Sequence, residues 1–146
     1  MPDGKDDILK AAEDLIAKIK DDDGPPDILI VDDVRANVFL IESILSDRYR
    51  VRSVNSAEGM WKLLRRMKPR LILLDLMMPF ENGFVCLEKL SESPEWRDIP
   101  VIVVTAKDTR ADVMNAMRLG ARDYIVKPVD DEVLLGKIGK ILKLER

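Results

Sequence analysis

Three acids in this chain stand where chemistry is possible. Asp75 directly follows the apolar run Leu71-Ile72-Leu73-Leu74, and Asp32-Asp33 follow a second run, Ile28-Leu29-Ile30-Val31. A charged residue at the end of such a run sits where a buried strand meets solvent. If the two strands lie side by side, the three carboxylates converge on one edge of a sheet. Clustered anions repel one another unless a cation holds them, and hard carboxylate oxygens suit Mg²⁺, which keeps some of its waters and accepts phosphate partners. Two more polar groups end apolar runs of the same kind: Thr105 follows Val101-Ile102-Val103-Val104, and Lys127-Pro128 follows Tyr124-Ile125-Val126. The lysine offers a mobile positive charge to a phosphoryl oxygen and the threonine a hydroxyl. Phosphoryl transfer depends on positioning and charge neutralisation more than on a base, so an ionised Asp75 could itself be the nucleophile and carry an acyl phosphate.

The elements that must position these groups alternate along the chain. Residues 5–20 read as a helix, with Ile8, Leu9, Ala12, Leu15, Ile16 and Ile19 on one face. Asp21-Asp22-Asp23-Gly24-Pro25-Pro26 then breaks it as a linker or sharp turn. Strands are predicted at 27–32, 51–54, 71–74, 101–104 and 124–126, with the second, which carries Arg52, at an edge. Helices are predicted at 35–46, at 57–67 with Ser56 as N-cap, from the loop at 79–83 through Leu90, at 108–119 closed by Gly120, and at 130–144. Strands alternating with helices mean right-handed crossovers and a parallel sheet, and continuously apolar strands are covered on both faces. The pattern predicts an open, doubly wound α/β sheet of five strands. Ligands in such folds bind beyond the carboxyl ends of the strands, where every strand but the second supplies a polar group.

Composition narrows the field. A chain of 146 residues, 47 % apolar and 35 % charged, suffices for one globular domain. No stretch has the length and apolarity of a membrane span, and the acidic start does not resemble a signal peptide. The net charge of −3 provides no electrostatic footprint for nucleic acid. The lone cysteine, Cys86, excludes an internal disulfide and suits a reducing cytoplasm. The chain has no histidine, so any phosphohistidine must belong to a partner.

Four segments carry a resemblance: Ile30-Val31-Asp32-Asp33; Leu73-Leu74-Asp75-Leu76-Met77-Met78-Pro79 with Gly83; Val104-Thr105-Ala106; and Gly120-Ala121-Arg122-Asp123-Tyr124-Ile125-Val126-Lys127-Pro128. Over residues 27–144 the chain resembles the CheY-like receiver domains of two-component response regulators. The resemblance implies a flavodoxin-like sheet of order 2-1-3-4-5, a receiver domain over 25–146, and an added N-terminal helix and linker over 1–24. It implies that Asp75 accepts a phosphoryl group from a sensor histidine kinase or phosphotransfer protein. Asp33, Asp75 and the Met77 carbonyl would bind Mg²⁺ directly and Asp32 through water. Thr105 and Lys127 would hold the phosphoryl group, Thr105 and Tyr124 would form a switch, and the Lys127–Pro128 bond would be cis. Met77 and Lys107 would flank the route of attacking water without orienting it, which implies slow self-dephosphorylation.

Singly, each motif has a plainer reading. Asp32-Asp33 suit a helix cap, Asp75 and Lys127-Pro128 suit turns, and Cys86, Trp61 and Trp96 suit packing. A phosphatase with an aspartyl nucleophile would need an acid at the position of Met77, and a flavin phosphate would be repelled by the acid in Asp33-Val34-Arg35. A phosphorylation-independent interaction module on the same fold remains an alternative. The chain ends after its last helix, so it reads as a free-standing receiver or as one cut from a diguanylate cyclase, a phosphodiesterase or a hybrid kinase. The N-terminal helix could dock on its own receiver, pair with a second copy or be completed by a partner, and a homodimer could also form through the face of the helix at 108–119, the strand at 124–126 and the helix at 130–144. An exposed Phe80 could touch a partner.

Overall fold

The structure is a computed structural model that describes residues 7–13 and 26–144. Residues 7–13 are helical and exposed; the remainder of the helix predicted at 5–20, and the break at 21–25, lie outside the described residues. From residue 28 the elements are β1 (Ile28–Val31), α1 (Arg35–Leu45), β2 (Val51–Val54), α2 (Ala57–Leu64), β3 (Leu71–Leu74), α3 (Gly83–Glu92), β4 (Val101–Thr105), α4 (Arg110–Arg118), β5 (Asp123–Val126) and α5 (Asp131–Leu144). The strands form one sheet in the order β2-β1-β3-β4-β5, every pair parallel. This is the doubly wound arrangement expected from the alternation, with β2 at one edge as its arginine suggested.

The pleat explains why the central strands are apolar throughout. Alternate residues point to opposite faces, and both faces are covered. Leu29, Val31, Ile72, Leu74, Val101 and Val103 pack with Met60 and Leu64 of α2 and with Cys86, Leu87 and Leu90 of α3. Ile28, Ile30, Leu71, Leu73, Ile102 and Val104 pack with Ile41 and Leu45 of α1 and with Leu134 and Ile138 of α5. A strand with only one covered face would have needed polar residues at every second position.

Helix limits follow local chemistry. Ser56 caps α2, its Oγ accepting from the Gly59 N–H at 3.0 Å. The helix predicted to start at 108 starts at Arg110, because Thr109 is the N-cap and accepts from the Asp112 N–H. The helix predicted to run to 67 ends at Leu64; Arg65 to Met67 continue as a turn bonded back to Trp61 and Leu63. Among the described residues no helix is long and apolar enough to cross a membrane.

Register places the site. Val31, the last residue of β1, lies level with Leu74, the last residue of β3. The residues one step beyond, Asp32 and Asp75, therefore emerge side by side. On the other flank Thr105 lies level with Val126, so Lys127 leaves β5 one step beyond the threonine.

Candidate functional site

Asp32, Asp33 and Asp75 each bring a carboxylate oxygen within 4.8 Å of the others. Asp32 and Asp75 are 3 % and 5 % exposed, whereas Asp33 faces solvent. The Lys127 ammonium bridges the buried pair, with Nζ 2.7 Å from Asp32 Oδ2 and 2.9 Å from Asp75 Oδ2. The second oxygen of each acid is held by backbone: Asp32 Oδ1 accepts from the Val34 N–H and Asp75 Oδ1 from the Met77 N–H, both at 2.9 Å. Each buried acid is thus held on one side by the turn that follows its strand and on the other by Lys127. The helix-cap reading of Asp32-Asp33 does not hold: the N-cap of α1 is Val34, with no side-chain cap. Asp32 serves the turn before the helix instead.

Burial disfavours the Lys127 ammonium, but its hydrogen bonds to Asp32 and Asp75 and their charges outweigh that, raising its pKa above the ordinary value of 10.5. It is therefore a permanent cation at physiological pH. Three carboxylates against one ammonium leave two negative charges, which one divalent cation would neutralise. The donors are hard oxygens, and one of the acids opens to water. The residues present fit Mg²⁺.

Thr105 is fully buried beside this cluster. Its Oγ1 accepts from the Lys107 N–H at 3.5 Å, and the Lys107 carbonyl accepts from the Tyr124 hydroxyl at 2.8 Å. Burial, then the charges of Asp112, Asp108 and Asp75, push the Tyr124 phenol up, so it remains a donor. The Lys127–Pro128 bond is cis. Met77 is half-exposed and Phe80 wholly exposed. Cys86 is buried in the core and its thiol is pushed up to about 11, chiefly by burial; it packs, as expected from the sequence, and is not a nucleophile.

The family of response regulator receiver domains matches residues 28–139. The chain belongs to this family. Protein PilH of Pseudomonas aeruginosa is 39 % identical over 117 residues, which cover 79 % of this chain and 96 % of PilH. Response regulator PleD of Caulobacter vibrioides is 37 % identical over 119 residues, covering 81 % of this chain but 26 % of PleD. The receiver domain of a signal transduction histidine kinase from Syntrophus aciditrophicus shares the fold with a TM-score of 0.73 and 32 % identity, covering 80 % of this chain and 89 % of that one. The chain thus spans about a quarter of PleD and nearly all of PilH. Its receiver fold is consistent with two-component signalling.

Sequence reasoning missed three features of this receiver. It assigned Lys127 to a phosphoryl oxygen and did not foresee its direct bridge between Asp32 and Asp75. It did not find a groove of about 1040 Å³ lined by Asp32, Asp33, Arg35, Phe39, Glu42 and Asn55, which opens beside the acids. It also passed over Glu81, which joins the loop after Asp75 to α2 and α3. Its one available signal was an acid close after the Met-Pro pair.

Proposed function

We propose that Asp75 accepts a phosphoryl group from the phosphohistidine of a sensor kinase or phosphotransfer protein, and that the phosphorylated receiver is a switch for an output partner. The bridge of Lys127 between two buried acids carries this reading, because folding alone does not call for three acids and a lysine on one sheet edge. An Asp75 carboxylate oxygen would attack phosphorus. The P–N bond would break, its electron pair would go to the imidazole, and an acyl phosphate would form with no proton taken from the aspartate. Asp33, Asp75 and the Met77 carbonyl would hold Mg²⁺ directly and Asp32 through water. Bound there, Mg²⁺ would neutralise charge on the phosphoryl oxygens.

Lys127 already lies at the acceptor and would exchange part of its bond to Asp75 for a phosphoryl oxygen. Thr105, one step beyond the level of Asp75 on β4, would turn its hydroxyl to the same group. That turn would release the Lys107 amide, and Tyr124 would follow inward, giving up its bond to the Lys107 carbonyl. The surface this alters is α4, β5 and α5, where Met114, Met117, Val126 and Val133 are exposed and suit an output partner or a second copy. Such a protein acts by population shift rather than turnover. We place it in the cytoplasm, with residues 25–146 as the receiver and residues 1–24 as a segment outside it.

Intact mass after incubation with acetyl phosphate and Mg²⁺ tests the reading. The wild-type chain should gain one phosphoryl mass and Asp75→Asn none. No gain in either, or gain in both, defeats it. The same assay followed over time tests the lifetime. The Met77 side chain is bulky and the Lys107 side chain carries no acceptor, so neither does much to orient an attacking water, and the acyl phosphate should persist for minutes or longer once acetyl phosphate is removed; decay within seconds contradicts this.

A further inference from the structure

The loop from Asp75 to Gly83 contains a turn that its own residues disfavour. The Glu81 N–H donates to the Pro79 carbonyl at 2.9 Å, and Phe80 between them has a φ of +73°. A γ-turn of positive φ is rare and strained, and a bulky residue is poorly suited to its centre. Burial does not compensate, because the Phe80 side chain is fully exposed. Some contact beyond Phe80 must therefore hold the turn.

Glu81 supplies it. Its Oε2 accepts from the Trp61 indole N–H at 3.4 Å, and its Oε1 accepts from the Lys89 ammonium at 3.0 Å. Trp61 belongs to α2 and Lys89 to α3, so one carboxylate ties the loop to two helices. The assembly is braced further: Trp61 stacks on Trp96 with centroids 5.4 Å apart, and Lys89 Nζ lies 6.0 Å from the centre of the Trp61 ring. At the other end of the loop the Met77 N–H is bonded to Asp75 Oδ1.

We propose that Glu81 is a positioning residue of the metal site. By clamping the strained turn to α2 and α3 it holds the segment from Leu76 to Phe80, and with it the Met77 carbonyl, at the acceptor. This rests on the Mg²⁺ reading above.

The test compares the full chain with Glu81→Ala, Glu81→Gln, Phe80→Gly and the Phe80→Gly/Glu81→Ala pair. Amide hydrogen exchange at positions 77 and 81 is read without metal, and Mg²⁺ affinity by calorimetry. Glu81→Ala should speed exchange at both amides and weaken Mg²⁺ about tenfold, the scale of losing an outer-shell partner. Glu81→Gln keeps an acceptor for Trp61 and should retain most of both, and it serves as the test should the alanine variant fail to fold. In the Phe80→Gly background the turn is unstrained, since glycine accepts positive φ. There Glu81→Ala should change Mg²⁺ affinity clearly less than it does beside Phe80; a generic packing role would show no such relief. Unchanged exchange in Glu81→Ala overturns the clamp, whatever Mg²⁺ does. Faster exchange with unchanged Mg²⁺ affinity overturns the positioning role. A wild-type chain that binds no Mg²⁺ overturns the metal reading and the positioning role with it, and the exchange data separate that result from a failed clamp.

Discussion

Replacing Lys127 with methionine is expected to lower the stability of the metal-free protein by about 2–4 kcal/mol, the largest effect at the site. The lysine side chain is 14 % exposed and its two acids 3 % and 5 %. Removing one partner of a buried ionic cluster leaves the others uncompensated, and that penalty exceeds the net worth of the intact cluster. Methionine conserves the length and apolar stem, so lost packing contributes little. Urea denaturation in the presence of a chelator measures the difference. Added Mg²⁺ should stabilise Lys127→Met more than wild type, because the ion supplies the positive charge that the variant lacks. The pH dependence has a definite sign. The folded pKa of Lys127 is raised, so its contribution is fully present below the ordinary value of 10.5 and is lost only as the pH climbs through the raised value. The gap between wild type and Lys127→Met should therefore stay constant through the neutral range. Equal urea midpoints in the chelated proteins would show that the acids do not depend on the lysine.

The difference between what was legible in the sequence and what was not follows from range. The strands were legible because each central run is covered on both faces, and no helix would leave Ile28-Leu29-Ile30-Val31 apolar on all sides at that length. The residues at the strand ends were legible for the same reason, since a polar residue after a covered run can only lie at the rim. The bonds among them were not. Lys127 reaches Asp32 and Asp75 across 95 and 52 positions of sequence, and only the registers of β1 with β3, β3 with β4 and β4 with β5 bring the three together. Phe80 gave no warning of its positive φ, because the residues that advertise that conformation are glycine, asparagine and aspartate. Glu81 belongs to no apolar period, so its two partners on α2 and α3 became visible only once those helices were packed.

Among the described glycines, Gly83→Ala is expected to be the most damaging change to alanine, costing about 3 kcal/mol. A Cβ at Gly83 would lie 2.4 Å from the Leu76 Cα and 2.8 Å from the Asp75 carbonyl oxygen. Neither neighbour is the end of a flexible side chain. Both belong to the backbone around Asp75, and the Gly83 N–H is itself bonded to the Leu76 carbonyl at 3.2 Å. The loop doubles back so tightly that the first residue of α3 rests on the end of β3, and a methyl group must force them apart. The reason is space, not backbone conformation, which sets a sharp control. Gly136 and Gly139 on α5 have nothing within 4 Å of a built Cβ. There the same substitution should stabilise the protein by about 0.5–1 kcal/mol, the helix preference of alanine over glycine. Urea midpoints of the three variants test the contrast. If Gly83→Ala matches wild type, the loop does not lie against Asp75. If it is destabilised yet folds, and Asp75 has the role proposed above, its gain of a phosphoryl group from acetyl phosphate should fall as well, because the displaced backbone is that of Asp75 and Leu76.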